Sequence, residues 1–89
     1  MIAVVLNIDE TRVVQALQEA GDKLDGTEGE AVLDFSAVRR IDPSTLLALQ
    51  AFAGIADKKA VKVVLRGVNI DVYKVLKLMK LTRRFSFVN

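Results

Sequence analysis

At 89 residues the chain has room for one domain, spanning 1–89, and its 52% hydrophobic and 27% charged residues describe a packed globule and exclude disorder. There is no cysteine and no histidine, which excludes disulfides, thiolate or imidazole metal sites and the Ser-His-Asp and Cys-His forms of nucleophilic catalysis. The net charge of +2 conceals a split: residues 1–57 carry 4 Lys and Arg against 10 Asp and Glu, and residues 58–89 carry 9 against 1. Such asymmetry can steer charged partners, although solvated strand and helix faces are the simpler account. No aromatic platform accompanies the basic residues, which argues against direct nucleic-acid binding.

In chain order, Ile2 to Leu6 is an aliphatic strand. It lacks the basic flank of a secretory signal, and no apolar run reaches the roughly 18 residues of a bilayer span, so a cytoplasmic location without membrane insertion is expected. Thr11 to Leu24 follows as a helix, with Val13, Leu17, Ala20 and Leu24 on one buried stripe. A polar, glycine-bearing loop spans Asp25 to Glu30. Ala31 to Phe35 is a near-continuous apolar run, the pattern of a central strand covered on both faces.

Pro43 to Lys58 is the second helix, and Leu46, Leu47, Leu49, Phe52, Ala53, Ile55 and Ala56 spread apolar character around most of it. One side must meet the sheet and another a neighbour or partner. Val61 to Leu65 is a third strand, Gly67 breaks it, and Asn69 caps a third helix with Val72, Val75, Leu76 and Met79 at helical spacing. Arg84 to Val88 closes as a short edge strand. Strands and helices alternating with crossover-length connections predict an α/β domain whose mostly parallel sheet has about four strands.

The segment with chemical content is Val32 to Thr45, where a strand leads through a short loop into a helix start. Asp42 is the expected N-cap, Pro43 takes the first helical position, and Ser44 and Thr45 fall in the first turn. Unpaired N–H groups and the partial positive charge of that turn would hold a phosphate added to Ser44. The alternative is a plain cap, with Asp42 and Ser44 satisfying orphan donors. Asp34 and Asp42 are close enough in sequence to suggest a carboxylate pair, but Asp34, at the end of an apolar strand, reads as a brace for the loop. Neither a catalytic residue nor a cofactor or metal site is expected.

Asp34-Phe35-Ser36-Ala37-Val38, Ile41-Asp42-Pro43-Ser44, the apolar helix, strand Val61–Leu65 and Gly67-Val68-Asn69 together resemble the STAS domain of anti-sigma factor antagonists, over residues 30–88. The resemblance implies a regulatory protein-interaction module of the bacterial partner-switching kind. It implies that Ser44 matches the serine or threonine phosphorylated by an anti-sigma factor kinase, and Asp42 the aspartate of the same turn. The expected partner face is Asp42, Pro43, Ser44, Thr45, Leu46 and Leu49. Pro43 stands where the family has its first serine, Thr45 where it usually has glycine, and Lys80 where a glycine commonly precedes the last leucine; the chain also shows one N-terminal strand where the family has two. Gly67-Val68-Asn69 with Val72-Tyr73 and Lys77-Leu78 also resembles the small STAS subunit of bacterial ABC-type phospholipid transporters, which implies docking on a transporter ATPase. On that branch Lys74, Lys77 and Lys80 contribute to docking or to contact with an anionic membrane surface.

Overall fold

A computed structural model describes residues 2–25 and 29–88. Strand β1 (Ile2–Asn7) leads through one turn of 3-10 helix (Glu10–Arg12) into α1 (Val13–Asp22), followed by β2 (Gly29–Asp34), α2 (Pro43–Lys58), β3 (Lys62–Arg66), α3 (Ile70–Leu78) and β4 (Ser86–Val88). The expected helix over 11–24 is therefore shorter. Asp9 accepts from the Thr11 N–H and holds the segment in the tighter turn first. The middle of the expected loop over 25–30 lies outside the described residues.

The four strands pair in the order β1-β2-β3-β4, all parallel. Sequential parallel strands joined by right-handed crossovers put α1, α2 and α3 on one face of the sheet. The register confirms one covered face: Ala31 and Leu33 of β2 and Leu65 of β3 are fully buried, and Val4, Leu6 and Phe87 pack against the same core. The alternate row Val5, Val32, Val64 and Ser86 lies on the other face, where Val5 is half exposed and Val64, although buried, stands outside the core cluster. This corrects the expectation for β2. It is central, but only one of its faces is covered, and the apolar run of its sequence reflects Val32 packing between Val5 and Val64 rather than a second layer of helices.

The α1 stripe of Val13, Leu17, Ala20 and Leu24 is buried as expected, and α1 packs on α2 with Gly21 against the Ile55 side chain. On α3 only Val72 and Leu76 are buried, whereas Met79 is half exposed because the helix ends at Leu78. Two non-glycine residues close helices in the left-handed region, Ala60 at φ 56° and Lys80 at φ 59°. In each case the next residue's N–H returns to the helix, Val61 to the Ala56 carbonyl and Leu81 to the Leu76 carbonyl, both at 2.9 Å.

Candidate regulatory site at the start of α2

The loop from β2 to α2 is held at three points. At its start, Asp34 accepts from the Ser36 N–H at 2.9 Å and the Ser36 hydroxyl at 2.6 Å, and pairs with Arg66 of β3 at 2.8 Å. Asp34 is thus the expected brace. The Ser36 hydroxyl, then Arg66 and the Ser36 N–H, hold its carboxyl down to about 2. In the middle, Asn69 donates from Nδ2 to the Val38 and Arg39 carbonyls at 3.3 and 3.1 Å, while its Oδ1 accepts from the Val72 N–H and caps α3. At its end, Asp42 is extended and accepts from the Thr45 N–H at 2.8 Å as the N-cap of α2. That backbone bond is the main reason its carboxyl lies below the usual range.

Gly67 sits under the loop at φ 73°, where a Cβ would come within 2.9 Å of the Ser36 Cβ. Only glycine lets the two strand-end loops approach so closely.

The structure divides the six expected partner-face residues. Asp42, Pro43 and Ser44 are exposed and Leu46 is half-buried, packed against the core. Thr45 and Leu49 are 4% and 0% exposed, so they face the core, and Leu49 is removed from any docking surface. The reason is angular: with 3.6 residues per turn, Thr45, Leu49, Phe52 and Ala56 fall along the stripe that meets the sheet. The residues continuing outward from Ser44 are Leu47 and Ala51, at 3–4 residue spacing, and then Ile55, which is only partly exposed because its side chain also rests on Gly21 of α1; Leu47 is 67% exposed. No charged residue interrupts α2 between Ser44 and Asp57. This outward stripe was within reach of the sequence, since stepping along α2 from Ser44 finds it.

Beside the cap lies an open cleft of about 390 Å³, lined by Glu10, Thr11, Arg12, Val13, Val14, Gln15, Arg40, Asp42 and Thr45. Arg12 is engaged by Gln15 at 2.7 Å and Glu19 at 3.7 Å. Sequence reasoning missed this juxtaposition because residues 10–15 and 40–45 meet only through the β1-β2 pairing. Among the described residues no group of His, Cys, Asp or Glu could hold a metal ion, and no helix is long and apolar enough to cross a membrane.

The fold is that of several solved proteins. A sulfate transporter family protein from Wolinella succinogenes superposes with a TM-score of 0.80 at 22% identity, covering 96% of this chain and 75% of its own. A variant of RsbS from Moorella thermoacetica gives 0.76 at 25% identity, covering 94% and 76%. A candidate anti-sigma factor antagonist from Thermotoga maritima gives 0.68 at 18% identity, covering 98% and 73%. No curated protein sequence matches the chain. The family model described as Mlab, STAS domain matches residues 5–88, and the chain belongs to the STAS domain family.

Proposed function

We propose that the chain is a non-enzymatic regulatory module acting in the cytoplasm, which docks an anti-sigma factor or serine kinase on the outward stripe of α2 and is switched by phosphorylation of Ser44. The observation behind this reading is the placement of an exposed hydroxyl at the head of an uncharged apolar helix face: Ser44, then Leu47, Ala51 and Ile55. A phosphate adds about −1.5 to −2 charge. The first turn of α2 tolerates that charge in the free protein. A partner packed over Leu47 would have to bury it beside the Asp42 carboxylate, so modification releases the partner while the fold stays unchanged. Likeness to RsbS at 25% identity supports this reading.

The test is affinity capture of the tagged chain from its native cell, with mass spectrometry reading the co-purifying proteins and phosphate on Ser44, followed by binding measurements with Ser44→Asp. A kinase-type partner whose affinity falls at least tenfold for Ser44→Asp supports the proposal. Equal affinity of wild type and Ser44→Asp ends it.

A second reading, a subunit docked on the ATPase of an ABC-type phospholipid transporter, is favoured by the rigidity of the turn. Pro43 fixes the first helical residue, and Thr45, at the usual glycine position, is packed into the core. A stripe presented by so stiff a turn needs no modification to bind. Capture of an ABC ATPase with unmodified Ser44 would select this reading.

A further inference from the structure

Helix α3 buries Val72 and Leu76 and turns the opposite ridge outward. Ile70 and Leu78 lie on that ridge at 72% and 80% exposure, the highest values among the large hydrophobic residues of the described chain. They are eight residues apart, which separates them by about 12 Å along the axis. Lys74 stands between them and Lys77 beside them, while Lys80 and Arg83 follow just beyond the helix. Lys77 and Lys80 belong to two adjoining shallow depressions, one shared with Lys74 and Leu78 and the other with Thr82 and Arg83. The four cations therefore form a continuous border to the apolar tip.

None of Lys74, Lys77, Lys80 and Arg83 has an ion-pair partner among the described residues; Arg84, by contrast, is engaged by Asp57 at 2.7 Å. Asp71 is the single acidic residue in 58–89. The acids gather at the opposite edge of the sheet, around α1, where Asp9, Glu10, Glu19, Asp22 and Asp25 have only Arg12 and Lys23 as basic neighbours in sequence, and Asp25 also pairs with Lys59. The molecule is thus electrostatically polar across its sheet, with its two most exposed large apolar side chains among the described residues on the basic pole's outer helix.

We propose that this face of α3 docks on an anionic lipid bilayer, with Ile70 and Leu78 entering the headgroup layer and the lysines neutralising lipid phosphates. Three features select a bilayer over an acidic protein. The face carries only open, shallow depressions, which a deformable plane accommodates without a matching groove. Three of the four cations are lysines, flexible point charges suited to a diffuse layer of phosphates rather than to fixed bidentate carboxylates. Their aliphatic stems also extend the apolar footprint around Leu78. Attraction of juxtamembrane lysines to anionic lipid, added to shallow burial of two side chains, gives reversible and salt-sensitive attachment. The surface is separate from the Ser44 stripe, so the two proposals stand or fall independently.

The experiment is co-sedimentation of the purified chain with vesicles of phosphatidylcholine alone and of phosphatidylcholine with phosphatidylglycerol in a two-to-one ratio. Binding to the anionic vesicles at low salt, absent on neutral ones and released at about 0.5 M salt, is expected. Replacing both Lys74→Ala and Lys77→Ala should lower partitioning about 25-fold, at about fivefold per lysine. Leu78→Ser should lower it severalfold with every charge retained. All three positions are exposed, and circular dichroism verifies that the variants fold. Failure to bind anionic vesicles at low salt, equal binding to neutral ones, or binding that survives these substitutions overturns the proposal. So would a face that ignores vesicles and binds an acidic amphipathic peptide.

Discussion

Asp34 and Arg66 are register partners on neighbouring strands, and their side chains meet at 2.8 Å on the sheet face that no helix covers. The pair ties the end of β2 to the end of β3, and Asp34 also anchors Ser36, so one carboxylate fixes both the strand ends and the start of the loop leading to Ser44. Its folded-state value of about 2 lies below the ordinary 3.8. A depressed folded value means that the carboxylate's stabilising contribution is complete above about pH 4 and disappears as pH falls towards 2.

Asp34→Ala should therefore cost about 1–2 kcal/mol at neutral pH, lowering the melting temperature by several degrees. The difference from wild type should shrink between about pH 4 and pH 2, where wild type loses the same interaction. Thermal unfolding followed across that range checks it. A difference that stays constant with pH would assign the loss to packing instead.

The left-handed helix ends give a prediction of the opposite sign. Ala60 and Lys80 adopt φ 56° and 59° with a Cβ present. Ala60→Gly and Lys80→Gly should each stabilise by about 0.5–1 kcal/mol, since removal of the steric cost at a C-cap outweighs the extra freedom of the unfolded chain. Gly67→Ala should do the reverse, because φ 73° disfavours a side chain and the added methyl meets Ser36. Denaturant midpoints for the three variants test both signs together.

Leu47 and Leu49 are two residues apart on α2 and should behave as opposites. Leu49 is fully buried, and Leu49→Ala should cost about 2–5 kcal/mol through the lost burial and the cavity left behind. Leu47 is 67% exposed, so Leu47→Ser should change stability by less than about 0.5 kcal/mol. Under the proposed function it should nonetheless weaken partner binding at least tenfold. Calorimetry and a pull-down on the same two variants separate the roles. If Leu47→Ser retains full affinity, the partner lies on another face.

Much of this was legible in the sequence because the local signals were strong. Pro43–Lys58 begins and ends where its cap, its proline and its apolar run place it, and Asn69 opens α3 as an N-cap should. Strand boundaries differ by one or two residues: Asn7, Gly29, Glu30 and Arg66 extend β1, β2 and β3 by backbone pairing that side-chain pattern does not report, Phe35 and Val61 fall outside their strands, and β4 begins at Ser86 rather than Arg84. The layer arrangement was misread at β2 because valine serves both a buried and a half-open face of a sheet. At the site, the Asp42 cap and the first-turn position of Ser44 followed from residue type alone, whereas the exposure of Ser44 is seen only in the structure. The inward turn of Leu49 and Thr45 needed the phase of α2 against the sheet, and the cleft with Arg12 and Arg40 needed the strand order.

Asn69 links the two ends of that site, and its two functions can be separated. Its Oδ1 caps α3 through the Val72 N–H at 2.8 Å, while its Nδ2 holds the Val38 and Arg39 carbonyls. Asn69→Asp keeps the cap, and adds a favourable charge at the helix N-terminus, but sets an acceptor against two carbonyl oxygens. Asn69→Ala removes both functions and should cost about 1–2 kcal/mol. In amide hydrogen exchange, Asn69→Asp should leave the first turn of α3 protected while amides 38–42 exchange faster, and Asn69→Ala should speed both. Because residues 38–42 lead directly into Pro43 and Ser44, the faster exchange should be matched by easier modification of Ser44 by a serine kinase. Unchanged exchange at 38–42 in Asn69→Asp would mean that core packing of Val38 and Ile41, rather than the amide bridge, holds the loop in place.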